Sequence, residues 1–353
     1  GAFGLVGSEM CIRDRARVTL DFDGSVQSTG KYAEGSAVGF NKKKKGARSY
    51  YPLFCTLAQT SQVFDVYHRP GNVHDSNGAK AFILQCIGHA RSQLPGAKIE
   101  TRKDSAFFNQ SVVDALDEHG VEFTISVPFE RFTELKAMIE SRQRWRRLDA
   151  QTGYFETDWK PKSWGQRYRF IFMRRQVAKQ RKGPVQLDLF TPHSQGYEFK
   201  VIVTNKSVGA KKVVAFHNGR GTQESIFAEL KSHNQMDYIP TKTLCGNQVY
   251  LLAAILAHNL TRELQMQAFE QDRNTTQRSA LHCGYFKNSI RFGATSSNVL
   301  VVSLVLKENS RYRLMLIKMY NVNCYTSLTY WNNLLQQLKA VNLCIIANFT
   351  LNE

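Results

Sequence analysis

Three carboxylates stand where a fold could gather them. Asp23 closes a short strand-like run, RVTLDFD, and is followed by Gly24-Ser25. Asp104 closes a second run, Lys98–Lys103, and is followed by Ser105; Glu224 lies in a late helical stretch. Taken singly, an acid at a strand end is more often solvated or a cap than a ligand. Taken together, a few carboxylates suffice for a hard divalent cation such as magnesium, which wants oxygen donors and keeps several waters. Two ions about 4 Å apart can hold the attacking and leaving oxygens of an in-line phosphodiester displacement. Acids that close would repel one another without the metal, so the site works at neutral pH with its cations bound. Asp21 competes with Asp23 for the first position, because alternation puts both on the same strand face. The Gly-Ser after Asp23 favours Asp23.

Glu224 has cationic company. Arg220, Glu224 and Lys231 are spaced by four and then seven residues. At about 100° per residue, a helix would hold them within roughly 40° of one another. One face then presents an acid bracketed by two cations. Spacing alone fits an ordinary i,i+4 ion pair better, worth a few tenths of a kcal/mol.

The elements that must position these groups follow from hydrophobic pattern. Val18, Leu20 and Phe22 alternate with Thr19, Asp21 and Asp23, which predicts a strand over Arg17–Asp23. Ser49–Leu57 and Gln62–His68 read as a hairpin, with Arg69-Pro70-Gly71-Asn72 as a turn. Helices are expected over Ala79–Gln93 and Ser111–His119, the latter closed by Gly120, and strands over Lys98–Lys103 and Val121–Val127. From Trp145 to Asn205 aromatic and β-branched residues alternate with Arg and Lys, which predicts a β-rich insertion. Helices resume over Gly209–His217, Thr222–His233 and Gln248–Gln267. The fold class is α/β: a mixed sheet flanked by helices.

Composition bounds the partner. The 353 residues carry 47 Lys and Arg against 29 Asp and Glu, a net charge of +18. That excess suits a polyanion binder, because counterions released from a phosphate backbone favour association. No apolar run reaches the roughly 18–20 residues needed to span a bilayer, so no membrane partner is expected. The seven cysteines are scattered without a C-x-x-C pair, which argues against a zinc knuckle or disulfide framework and fits a reducing cytosol. Lys42–Lys45 reads as a solvated loop able to steer phosphates. The aromatic-basic stretches Trp159–Trp164 and Tyr168–Arg175 could grip a nucleic acid or take a splayed base, or merely cover a small β core. His68, His74 and His258 are not paired at metal spacing and read as structural.

At this point the residues resemble a family. His217-x-x-Arg220-x-x-x-Glu224-x-x-x-x-x-x-Lys231 is similar to the Y-(2)-R-(3)-E-(6)-K signature of DDE transposases of bacterial insertion sequences. Leu20–Ser25 (LDFDGS) resembles their first-aspartate motif, and Arg102–Phe107 (RKDSAF) the second, usually R-x-D-S-G-F. Tyr51-Pro52-Leu53, Arg69-Pro70-Gly71-Asn72 and Leu256-Ala257-His258-Asn259-Leu260 agree further, and the set looks most like the group numbered thirteen-eighty. The resemblance covers about residues 17–268. It implies a ribonuclease-H-like fold with a β-rich insertion before the last catalytic helix. It implies Asp23, Asp104 and Glu224 as catalytic metal ligands for two Mg2+ (or Mn2+) ions, with Asp21 as the alternative first aspartate. Arg220, Lys231 and His217 would be the DNA-phosphate contacts, though His217 replaces the tyrosine and loses its hydroxyl. Ala106 replaces a glycine. The implied activity is cleavage and strand transfer of element ends. The partners would be double-stranded DNA, as inverted-repeat ends and target, and a second copy in a homodimeric synaptic complex. The place would be the bacterial cytoplasm, on the nucleoid when bound to DNA. A nuclease without joining activity and a non-catalytic, transposase-derived DNA-binding protein are the competing readings.

The expected organisation is a leader over 1–15, the first part of the core over 16–142, the insertion over 143–207, the last core helices over 208–270 and a basic tail over 271–353. The leader's Leu5–Arg15 (LVGSEMCIRDR) resembles translated sequencing adapter; an ordinary disordered leader is the alternative. After Ala280 the tail turns rich in Asn and Cys, and one base out of register it can spell a segment like the family's basic closing segment. A frameshift near residue 280 is therefore expected, with an N-terminally truncated chain that, as written, does not transpose.

Overall fold

The computed structural model describes residues 17–29, 32–39, 41, 44–74, 77–176, 196–268, 291–295, 299–308 and 311–319. The expected leader, Lys42 and Lys43 of the lysine run, and most of the tail lie outside them. In chain order the elements are β1 (Arg17–Gly24), β2 (Gln27–Thr29), β3 (Ala37–Val38), β4 (Arg48–Tyr50), β5 (Leu53–Leu57), β6 (Gln62–Tyr67), α1 (Ala79–Gln93), β7 (Lys98–Lys103), α2 (Gln110–Glu118) and β8 (Glu122–Ser126). There follow α3 (Thr133–Glu140), β9 (Arg146–Arg147), β10 (Thr152–Trp159), β11 (Tyr168–Gln176), β12 (Tyr197–Thr204), α4 (Ala210–Asn218), α5 (Thr222–His233) and α6 (Leu244–Ala268). Three further strands, β13 (Arg291–Thr295), β14 (Val299–Glu308) and β15 (Arg311–Met319), pair antiparallel in that order. Two compact units result: Arg17–Gly24 with His74–Gln223, and Ser25–Val73 with the chain from Glu224.

The first unit is built on a mixed sheet in the order β1-β7-β8-β12-β11-β10-β9. β1, β7 and β8 run parallel, and β12 joins β8 antiparallel. The α/β class with a mixed sheet flanked by helices is therefore what the chain adopts. A short antiparallel link suffices between β10 and β11, whereas the parallel strands need the helical crossovers α1 and α2. The β-rich insertion does not stand apart: β12 pairs with β8, so its strands prolong the same sheet. Its aromatics mostly face inward. Phe170 and Phe172 are fully buried, Trp159, Trp164 and Tyr168 nearly so, and Phe155 stacks on Phe172 at 4.4 Å. Helix α4 covers the sheet with Ala210, Val213 and Val214 against Ile171, Met173 and Ile202. Each large apolar side chain so buried contributes about 1.5–3 kcal/mol. Strand β11 is thus covered on both faces, Phe170 and Phe172 on one and Ile171 and Met173 on the other, and its arginines sit toward its ends.

One end of that sheet is closed by charge. Lys206 bonds Glu100 and Glu122, and Arg17 reaches the same two acids at 3.0 and 2.7 Å. Burial works against ionisation of Glu122, yet hydrogen bonds from Arg17, Lys206 and Lys98 hold its carboxyl well below the usual range. This network ties the starts of β1, β7 and β8; the aspartates leave from the other end.

The second unit joins the β5–β6 hairpin to α5 and α6 through Phe54, Val63, Ile226, Phe227, Leu230, Met236, Leu251 and Ile255. Asn259 of α6 accepts from the Val63 N–H at 2.9 Å and donates to its carbonyl at 2.7 Å, so one amide stands in for a neighbouring strand. The Leu256–Leu260 motif is therefore a docking device. So is Arg69–Asn72: the Arg69 side chain donates to the Tyr51 carbonyl at 3.1 Å, and Gly71 N–H donates to Ser49 at 2.8 Å. A Cβ on Gly71 would sit 2.1 Å from Ser49 Oγ, so the approach requires glycine.

Candidate active site

Strand β1 alternates as its sequence requires, with Val18, Leu20 and Phe22 fully buried. Its parallel register with β7 pairs Asp21 with Arg102 and Phe22 with Lys103. Paired residues share a face: Lys103 Nζ lies 5.0 Å over the Phe22 ring and donates to Thr101 Oγ1 at 2.6 Å. Asp23 and Asp104 are the next residues on the two strands. Adjacent strands lie about 4.8 Å apart, so the two aspartates leave neighbouring strand ends on one face.

Their carboxylates are fixed locally. Asp104 keeps an extended backbone and accepts the Ala106 N–H at 3.0 Å, which starts a single 3-10 turn over Ser105–Phe107. Among the described residues only Ser61 and Gln235 are non-glycines at positive φ, so Ala106 needs no left-handed backbone and can replace the usual glycine. Asp23 accepts the Gly24 N–H at 2.8 Å and faces Arg220, whose Nη1 stands 3.5 Å from Oδ2.

Asp21 is differently employed. It is 1% exposed and accepts Nε and Nη2 of Arg102, both at 2.6 Å. Burial raises its carboxyl above the ordinary range, and the Arg102 bonds pull back against that. Arg102 Nη1 then donates to the Phe216 carbonyl at 3.0 Å, near the end of α4. A Cβ on Gly219 would meet that nitrogen at 2.1 Å, so the guanidinium passes only beneath a glycine. The sequence reading missed Arg102. The signal was available, since Arg102 and Asp21 each stand two residues before a candidate aspartate.

Arg220 lies in a 3-10 turn, Gly219–Gly221, between α4 and α5, and not on the helix that carries Glu224. The backbone nevertheless stays right-handed through Asn218, Gly219 and Thr222. Gln223, fully buried, donates to the Asp21 carbonyl at 3.1 Å and pins the start of α5 to β1. Glu224 follows in the first turn of α5 and is exposed. In the second unit Lys231 is half-buried, with Nζ 3.5 Å from the Val26 carbonyl.

His217 differs from expectation. It is buried, with one ring nitrogen 2.9 Å from Thr124 Oγ1 and the other 2.9 Å from Ser126 Oγ. Burial first, and the charges of Arg220, Arg102 and Lys200 after it, lower its pKa to about 3. With both nitrogens engaged, the ring links α4 to β8. His68 and His258 are also buried, and burial lowers each to about 4.

These three rings predict acid lability. Each binds its proton less readily folded than unfolded, so stability is lost as pH falls below about 6.5, by about 1.4 kcal/mol per pH unit per ring. Asp65 works oppositely: burial raises its carboxyl to about 7, which favours the fold at lower pH. About two rings' worth remains, roughly 3 kcal/mol in all between pH 6.5 and 5, and the raised Asp21 carboxyl acts in the same direction as Asp65. Denaturant midpoints at pH 6.5 and 5 measure it, and equal midpoints would refute it.

Oxygen donors from Asp23 and Asp104 suit a hard divalent cation in kind. Among the described residues, however, no group of three or more His, Cys, Asp or Glu is arranged to hold a metal ion. Among the same residues no helix is long and apolar enough to cross a membrane.

By fold, then, this is a mixed α/β protein in which two of the three candidate acids, Asp23 and Asp104, leave adjacent parallel strands. Residues 8–322 match the family model described as Transposase DDE domain group 1, and the chain belongs to that family. Curated protein sequences give no match. Among solved structures, the chain is similar to piggyBac transposase in a synaptic complex with hairpin DNA, at TM-score 0.44 and 9% identity over 73% of this chain and 49% of that one. It is also similar to Mos1 transposase in a paired-end complex with the left transposon end, at TM-score 0.21 and 13% identity over 30% and 34% of the two chains. The chain thus spans about half the length of the piggyBac protein.

Proposed function

We propose that this chain is the catalytic part of a bacterial insertion-sequence transposase of the thirteen-eighty group, cutting DNA at element ends and joining them to target DNA. Asp23, Asp104 and Glu224 would hold two Mg2+ or Mn2+ ions. What such ions supply when bound is positive charge at the attacking and leaving oxygens of a phosphodiester displacement. Arg220 presents a planar fork to a phosphate and Lys231 a point charge. Arg220 beside Asp23 also offsets that carboxylate's charge before any ligand arrives. DNA, a second copy in a synaptic complex and a cytoplasmic site of action belong to the same proposal.

The observation that carries it is the emergence of Asp23 and Asp104 from adjacent strand ends, while Asp21 is committed to Arg102. Family membership and the +18 charge support it. One observation favours the non-catalytic DNA-binding reading: the absence of a three-ligand group among the described residues. Supercoiled plasmid, which needs no knowledge of the element ends, separates the two. The proposal expects nicked products with Mg2+ or Mn2+ and none with a chelator, and joined products from a chain with its reading frame restored. Binding without nicking at any metal concentration would leave the non-catalytic reading; nicking without joining by the restored chain would leave a nuclease.

A further inference from the structure

A second site adjoins Asp104. A hollow of about 300 Å³ is lined by His74, Ser105, Ala106, Phe108, Asn109 and Arg131. None of these is acidic, and all belong to the first unit. A neighbouring hollow of about 650 Å³ shares Phe108 and Asn109 but takes in Asp114, Phe132 and Trp164, so only the smaller one is free of carboxylates among its described lining. Arg131 is exposed, and its guanidinium makes no ion pair or hydrogen bond among the described residues. Its backbone is nonetheless fixed in a 3-10 turn, with N–H donating to the Pro128 carbonyl at 3.1 Å. Ser105 is exposed as well, opening the turn that the Asp104 carboxylate caps through Ala106. Asn109 caps α2 by accepting from Ser111 N–H at 2.9 Å, which holds the far wall.

We infer that this hollow is a subsite for one phosphodiester of a DNA strand, with Arg131 as its charged fork and Ser105 as a hydroxyl donor. The inference rests on the proposed DNA chemistry at Asp104 and adds a contact outside the carboxylates, Arg220 and Lys231. An arginine without a partner among the described residues, lining with a hydroxyl a hollow whose described lining carries no acid, matches the donors that phosphate oxygens accept. Asp104 and Glu130 precede Ser105 and Arg131 in the chain, and their negative charge disfavours a free anion. A phosphate delivered by a bound DNA strand overcomes that through its other contacts.

The test is a double-mutant cycle on binding to a 20-base-pair duplex followed across salt concentration. Arg131→Ala should weaken binding about 5–10-fold and lower the salt slope by about 0.9, the share of one phosphate contact. Ser105→Ala should weaken binding about 3-fold with the slope unchanged. Added to Arg131→Ala, it should cost nothing more, because the two donors serve one phosphate. Circular dichroism should match wild type throughout, both side chains being exposed. Additive losses, or an unchanged slope in Arg131→Ala, would overturn the subsite. Plasmid nicking by the same wild-type preparation keeps the two ideas apart. Coupled losses without nicking keep the subsite and remove the catalytic reading; nicking with additive losses does the reverse.

Discussion

The Asp104→Asn variant should nick plasmid about a thousand-fold more slowly than wild type while folding normally. Asparagine keeps the size of the side chain and an oxygen that can accept the Ala106 N–H, so the 3-10 turn after β7 survives. What it loses is the negative charge that a hard cation requires of its ligand. Charge stabilisation by such ions is worth several kcal/mol, and about 4 kcal/mol corresponds to a thousand-fold in rate. Asp23→Asn should do the same and also leave Arg220 without its carboxylate at 3.5 Å. Asp21→Asn should act differently, because that side chain is buried against Arg102 and serves the fold. Nicking rate and thermal midpoint, measured on all three, distinguish the positions. An Asp104→Asn protein as active as wild type would remove Asp104 from the chemistry. An Asp21→Asn protein of normal stability and no activity would exchange the roles of Asp21 and Asp23.

How much of this was legible depended on the range of the forces involved. Short-range patterns read well: α1, α5 and β7 have the bounds expected from periodicity, whereas the expected strand Ser49–Leu57 is broken into β4, which pairs with β2 and β3, and β5, which forms the hairpin with β6. The alternation of β1 also placed Asp21 and Asp23 on one face. It could not show what occupies Asp21, because that partner, Arg102, is 81 residues away. The partners of His217 were out of reach for a related reason: Thr124 and Ser126 of β8, over 90 residues earlier, engage both its nitrogens. The helical-wheel argument for Arg220 failed locally, since the glycines on either side of it favour a tighter turn before α5 begins. Helix α3 was missed: Pro128 stopped the preceding strand, and its eight residues bury only Leu135 and Ile139. The expected leader falls outside the described residues, and of the expected tail only β13, β14 and β15 fall within them, which does not test its reading frame.

Arg102→Ala is expected to cost about 3–5 kcal/mol of folding stability, the usual result of stranding one charge of a buried pair. Asp21 has 2% of its side chain exposed and Arg102 8%, so water cannot replace the lost partner. The sign of the pH dependence separates this cause from simple loss of packing. Burial already raises the Asp21 carboxyl, and Arg102 is the first group opposing it. Without Arg102 the folded-state pKa climbs further, so Asp21 favours the fold below its unfolded value near 4 and loses that contribution as pH rises. The deficit of Arg102→Ala relative to wild type should therefore shrink between pH 7 and pH 5, although both proteins weaken there through their buried histidines. Arg102→Lys should not rescue, because a point charge cannot serve both Asp21 oxygens and the Phe216 carbonyl together. A double replacement, Asp21→Leu with Arg102→Met, should recover most of the stability, because it removes the stranded charge along with its partner. Should that double variant be as unstable as Arg102→Ala, the loss lies in the missing anchor to Phe216, and the pair acts chiefly to hold the turn that carries Arg220.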